Sequence, residues 1–186
     1  MAAKQPGTTL QIVDGDHTRG PADAPTTVLA YGDYECPHTR ALELALARLR
    51  RLDTNVFRSV FRHFPLRDVH PHAQMAAEAA EAVYAFGGTA AFWIMHDGMF
   101  AHQDDLDPPA LERRAAEAAV DPIVVRAALE ARRFAGRVER DVESGRANGV
   151  GGTPSVFINS ERYRGPRDVP SLRAAIAAAA PLRNEQ

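Results

Sequence analysis

Cysteine is nearly absent from this chain: Cys36 is the only one in 186 residues. A single thiol closes no internal disulfide and supplies no set of thiolates for a structural zinc ion. The chain also lacks any apolar run near the roughly 18 residues of a membrane-spanning helix. Its first residues, Met1 to Gly7, carry no apolar stretch of the secretory-signal kind. A cytoplasmic location is the expectation from these features. There is no excess of one charge either. With 22 Lys and Arg against 24 Asp and Glu, the formal net charge is −2. Bulk electrostatics therefore point to neither nucleic acid nor a membrane surface as partner. Arginine gathers at Arg48, Arg50 and Arg51 and again at Arg132, Arg133 and Arg137, which reads as solvated helix faces. Metal-ligand spacing is missing too. His70 and His72 flank a proline, and His96 and His102 are six apart, so neither pair makes the i, i+4 face of a helical site. No metal site is expected. Gly151-Gly152 is too short a glycine signal for a phosphate-cradling loop.

What is present describes an ordinary globular chain, 45% hydrophobic and 25% charged, long enough for one domain elaborated by an insertion. Residues 1–25 form a polar extension punctuated by proline and glycine, in which Leu10 to Val13 has the character of a short edge strand. That edge leaves the oligomeric state open. Thr26 to Tyr31 is a buried-strand run, and Pro37 suits the first turn of a helix carrying Leu42, Leu46, Leu49 and Leu52. Asn55 to Phe64 alternates with period two and stops at Pro65, which predicts a second strand. The three elements make a βαβ unit with a parallel pair. From Pro71 to about Asn148 the periodicity is helical, with a stop at Gly87-Gly88 and starts at Thr89, Pro108-Pro109 and Asp121-Pro122. Strands return at Ser155–Ile158 and Arg162–Arg164 as a hairpin, and Asp168 or Ser171 caps a closing helix. The segments are thus 1–25, then 26–66 with 150–182 as an α/β unit of order βαβ … ββα, interrupted by an all-helical 67–149.

Cys36 falls where the first strand gives way to the first helix. A thiol there faces the unpaired N–H groups and the positive end of the helix dipole, a setting that favours the nucleophilic thiolate. The stretch Asp33-Tyr34-Glu35-Cys36-Pro37-His38 resembles the active site of DsbA-like thiol-disulfide oxidoreductases. Val150 to Ile158, with Gly151-Gly152-Thr153-Pro154, is similar to that family's cis-proline loop. Phe61 to Leu66, His70 to Ala73 and Phe92 to Asp97 match further family stretches in the same order, so the likeness runs from about Gly20 to Ala180. It implies a thioredoxin-like fold with a helical insertion, protein or small-molecule thiols and disulfides as partners, and no tightly bound cofactor.

One departure changes the chemistry. The family's usual motif is CxxC, whereas this chain reads Cys36-Pro37-His38-Thr39. On the resemblance, Cys36, His38 and Thr39 are the catalytic candidates, with His38 and the Thr39 hydroxyl tuning the sulfur. Pro37, Thr153 and Pro154 are the substrate-binding candidates. A single sulfur suits mixed-disulfide exchange or reduction finished by glutathione or another low-molecular-weight thiol as co-substrate. Two other functions remain open at this point: a glutathione transferase or isomerase of the kappa-class kind, and a non-catalytic binding protein on a retained fold.

Overall fold

The computed structural model describes residues 10–53 and 56–181. Residues 1–9 of the polar extension, Asn55 of the second expected strand and residue 182 at the end of the α/β unit lie outside the described residues. The elements run β1 (His17–Arg19), β2 (Thr26–Gly32), α1 (Pro37–Leu52), β3 (Phe57–His63), α2 (Ala73–Ala101), α3 (Pro108–Glu117), α4 (Pro122–Glu130), α5 (Ala135–Ala147), β4 (Ser155–Ile158), β5 (Glu161–Tyr163) and α6 (Val169–Ala179). The sheet order is β1-β3-β2-β4-β5, with β2 and β3 parallel and the other neighbours antiparallel. This is the thioredoxin-like α/β fold, with α2 to α5 all lying between β3 and β4 in the chain.

The period-two alternation of β2 explains how the sheet is covered. Val28 and Ala30 face Leu42, Leu46 and Leu49 of α1 together with Leu172 and Ile176 of α6. Leu29 and Tyr31 face the other way, onto Val60, Phe64, Val142 of α5 and Phe157. A third apolar cluster fills the helical block around Phe92, Met95, Met99, Leu111 and Val125, and reaches the sheet through Tyr34 and Phe61. The insertion is therefore packed against the strand that carries the parallel pairing.

Local chemistry sets the boundaries. Asp107, Asp121 and Asp168 accept hydrogen bonds from Ala110, Ile123 and Ser171 N–H, and each precedes a helix with proline in its first two positions. Such caps contribute about 1 kcal/mol apiece. Gly88 has φ 76° and ψ −170°, so α2 is broken where the sequence predicts one helix to stop and another to start. Asn159 and Ser160 both have positive φ and turn the β4–β5 hairpin.

The first edge strand is misplaced by sequence reasoning. It is His17–Arg19, paired antiparallel with β3, whereas Leu10 to Val13 is irregular. Leu10 and Ile12 pack onto the Leu29–Tyr31 face, and side chains satisfy that backbone in place of a strand. The Leu10 carbonyl accepts from Ser160 Oγ and the Gln11 carbonyl from Arg62.

Candidate active site around Cys36

β2 ends at Gly32, four residues turn, and α1 starts at Pro37 with Cys36 as its N-cap in extended backbone (φ −79°, ψ 118°). A β-carbon on Gly32 would lie 2.8 Å from the Thr39 methyl and run into the Phe61 ring. Glycine at that position is what lets the helix close over the strand end. On the other side, β2 and β4 pair antiparallel with Tyr31 opposite Ser155. That register places residues 153 and 154 beside the cysteine turn although they are far along the chain. The Cys36 thiol donates to the Thr153 carbonyl at 3.4 Å, and the Thr153–Pro154 peptide is cis. Cys36 makes no side-chain cap bond, and the residue is only 3% exposed.

A sulfur at a helix N-cap facing a cis-proline loop across a β2–β4 pair is the arrangement against which known proteins can be compared. A family model described as thioredoxin (Thioredoxin_4) matches residues 13–178. The chain belongs to the thioredoxin family. Among solved structures it is similar to BdbD from Bacillus subtilis (oxidised), with TM-score 0.80 and 23% identity over 89% of this chain and 92% of that one. It is also similar to alpha-DsbA1 from Wolbachia pipientis, with TM-score 0.77 and 18% identity over 91% and 93%. By sequence it is 47% identical over 166 residues to a Na(+)/H(+) antiporter NhaA 3 of Salinispora tropica, covering 89% of this chain. The chain spans about a quarter of the length of the curated relatives it matches. Among its own described residues, no helix is long and apolar enough to cross a membrane.

Within this thioredoxin-family site, Cys36, Thr153 and Pro154 come together, and Pro37 and His38 stand exposed at the head of α1. Thr39 turns inward and is fully buried, its Oγ1 accepting from Asp33 N–H at 3.4 Å. The thiol's own bond runs to Thr153, so the Thr39 hydroxyl serves the turn before it. Arg167 donates to the Pro154 carbonyl at 3.2 Å.

Several residues that hold the turn escape a reading of the sequence. Asp33 is 1% exposed, and its carboxylate takes Glu35 N–H, Leu66 N–H and His70 Nδ1, each at 2.8 Å. Glu35 in turn accepts from His72 N–H at 2.7 Å and lies 3.3 Å from His72 Nδ1. The two histidines that flank Pro71 thus bind the two acids that precede Cys36, drawing those negative charges toward partners of their own. Gln103, just past α2, donates from one amide nitrogen to the Tyr34 and Cys36 carbonyls at 2.8 and 2.9 Å. The only sequence signal for any of this is the presence of both stretches among the family's matching motifs.

Beneath the turn, Tyr34 is buried against Phe61 and Phe100, and its hydroxyl meets His96 Nδ1 at 3.1 Å. His96 Nε2 lies 3.5 Å from Glu43 of α1. Burial pushes His96 below its ordinary 6.5, against the pull of Glu43, and pushes Tyr34 well up. Neutral His96 with Nε2–H toward Glu43 leaves Nδ1 to accept from the Tyr34 hydroxyl, which fits both directions. The sign of the linkage follows. As pH falls through about 6.5, the unfolded chain takes up a proton that folded His96 refuses, so stability is lost on acidification. Unfolding free energies from urea titrations between about pH 7.5 and pH 5 are expected to decline by up to about 1.4 kcal/mol per pH unit from this group. That component should disappear in His96→Gln, and an unchanged slope in the variant would assign the effect elsewhere.

Proposed function

We propose that this chain is a DsbA-like thiol-disulfide oxidoreductase that works through one sulfur, Cys36, with an outside thiol completing each exchange. The observation that carries the reading is the Cys36 thiol at the N-cap of α1, 3.4 Å from the Thr153 carbonyl of the opposing loop, in a chain with no second cysteine. The Cys36 thiolate attacks one sulfur of a substrate disulfide, forming a Cys36–substrate disulfide and expelling the other sulfur as a thiolate. A second thiolate, from glutathione or another small thiol, then attacks that bond and frees Cys36. Two exchanges leave the protein unchanged and move one disulfide bond between partners. Pro37, Thr153 and Pro154 border the sulfur and form the substrate-binding edge. His38 and Thr39 tune it, Thr39 through the Asp33 turn. A thiol-replete compartment such as the cytoplasm supplies the resolving partner.

The antiporter relatives add a context. About three-quarters of each of those proteins lies outside the match. We infer that a membrane transporter bearing a thiol or disulfide is a partner class to test early.

The direct experiment is intact-mass analysis after incubation with glutathione disulfide. One glutathione on Cys36, removed by added thiol, supports the reading. No adduct, together with conjugation of glutathione to a model electrophile, would favour the transferase alternative. Thr39→Cys extends the test. Positions three apart in a helical turn have β-carbons roughly 5–6 Å apart, close enough for bridging after a small shift. The variant is expected to release bound glutathione without added thiol and to form an internal disulfide. A glutathione adduct as long-lived as that of the parent protein would show that a sulfur at 39 does not reach Cys36.

A further inference from the structure

Away from Cys36, the sheet and the insertion meet at a second cluster for which the proposed thiol chemistry has no use. β1 pairs with β3 so that His17 lies opposite Phe61, and His63 follows Phe61 by two residues on the same face. Both imidazoles therefore point at α2, where Glu81 meets them. His17 Nε2 is 2.8 Å from Glu81 Oε1, and His63 Nε2 is 3.1 Å from the same oxygen. All three residues are at most 3% exposed. Among the described residues they form a group whose ligand atoms all lie within 4.8 Å of one another.

The hydrogen bonds do not account for these nitrogens. His63 Nδ1 and Nε2 and His17 Nδ1 are all buried without a hydrogen-bond partner. His63 Nε2 lies 3.1 Å from the carboxylate oxygen that His17 Nε2 already engages. Buried polar atoms in native proteins are almost always paired, and of these three an ion beside Glu81 would engage His63 Nε2, the one that faces the carboxylate. The spacing fits one. Bonds of 2.0–2.1 Å in a tetrahedron separate neighbouring ligand atoms by about 3.3 Å, a few tenths beyond the two distances here. Charge leaves room as well. The surrounding buried carboxylates are Asp16, Glu81 and Asp141 and the guanidinium groups are Arg62 and Arg137, one negative charge in excess with neutral histidines. Arg137 is held by Asp141 and the Gly15 carbonyl, with its Nε 3.5 Å from Glu81 Oε1. There it acts as an outer partner that orients the carboxylate.

We propose that His17, His63 and Glu81 bind a divalent transition-metal ion, zinc being the type that two imidazoles and one carboxylate suit. The ion ties β1 and β3 to α2, and so holds the helical insertion to the sheet. The outer imidazole nitrogens have no carbonyl to orient them, so affinity falls short of a fully built structural zinc centre.

The test uses the full chain carrying Cys36→Ser, so that the thiol contributes no metal binding. Refolding with zinc followed by exhaustive dialysis and elemental analysis is expected to leave about one zinc per chain, since buried ligands load as the chain folds. Cobalt in its place should give the intense visible absorption of tetrahedral coordination. His63→Gln and Glu81→Gln should each lower retained metal at least about tenfold, in line with loss of a direct ligand. His102→Gln, at an exposed position outside both sites, should leave retained metal unchanged. Metal-free refolded protein, or zinc retained equally in both ligand variants, would overturn the assignment; the former would leave a proton as the cation shared by the cluster. If the variants do not fold, the parent's melting temperature decides: zinc must raise it and a chelator must reverse the rise.

Discussion

Cys36→Ser is expected to abolish mixed-disulfide formation with glutathione disulfide while leaving the fold as stable as before or slightly more so. The loss is complete because a hydroxyl forms no disulfide, so no residual rate from positioning survives. Stability should not follow activity down. Cys36 occupies the N-cap of α1 and makes no side-chain cap bond there. Serine is among the preferred N-cap residues, and its oxygen accepts from a first-turn N–H where sulfur does so poorly; the gain is up to about 1 kcal/mol. Serine also keeps a donor for the Thr153 carbonyl. Intact mass after glutathione disulfide treatment and urea midpoints of both proteins separate the two effects. Loss of more than about 2 kcal/mol would identify Cys36 as a core residue valued for packing. Full biological function in a variant that forms no adduct would favour the non-catalytic reading.

The elements that position this sulfur are legible because each is written locally. Pro37 and the leucines at 42, 46 and 49 specify the start and buried stripe of α1, and the alternation from Phe57 to His63 specifies β3. The aspartates at 107, 121 and 168 carry their helix starts in plain residue chemistry. What holds the turn is written across distance. Asp33 binds His70, and Gln103 binds the Cys36 carbonyl from 67 residues away. No periodicity links such positions, because the sheet and the insertion bring them together only after folding. Spacing is silent on what the histidines meet. His70 and His72 meet the carboxylates of Asp33 and Glu35 across the turn, and His17 and His63 converge on Glu81 from β1 and β3. Leu10 to Val13 shows the same limit in a strand: its apolar pattern is met by packing on the sheet face, and the pairing edge goes to His17–Arg19.

Asp33→Ala is expected to cost about 3–5 kcal/mol of stability. The wild-type carboxylate is buried and receives three donors: Glu35 N–H inside the turn, Leu66 N–H after β3, and His70 Nδ1 before α2. Alanine strands all three. Each unsatisfied donor costs about 1–3 kcal/mol, and the half-buried positions of Glu35 and Leu66 let water recover part of it, which keeps the sum below the upper limit. At 186 residues, this loss lowers the melting temperature by about 10 °C. Asp33→Asn should fall between the two proteins, because one amide oxygen still accepts while the amide nitrogen faces donors. The effect on chemistry is separable from the effect on folding. The Asp33 backbone N–H and the Thr39 hydroxyl join the turn to α1, and the Asp33 carboxylate joins it to the loop at Leu66. Loosening the second join frees the segment that presents Cys36 to Thr153. Glutathione adduct formation on Asp33→Ala, measured well below its melting temperature, should therefore slow by more than its unfolded fraction explains. A variant within about 1 kcal/mol of the parent, reacting at the parental rate, would mean that the Gln103 bonds alone hold the turn.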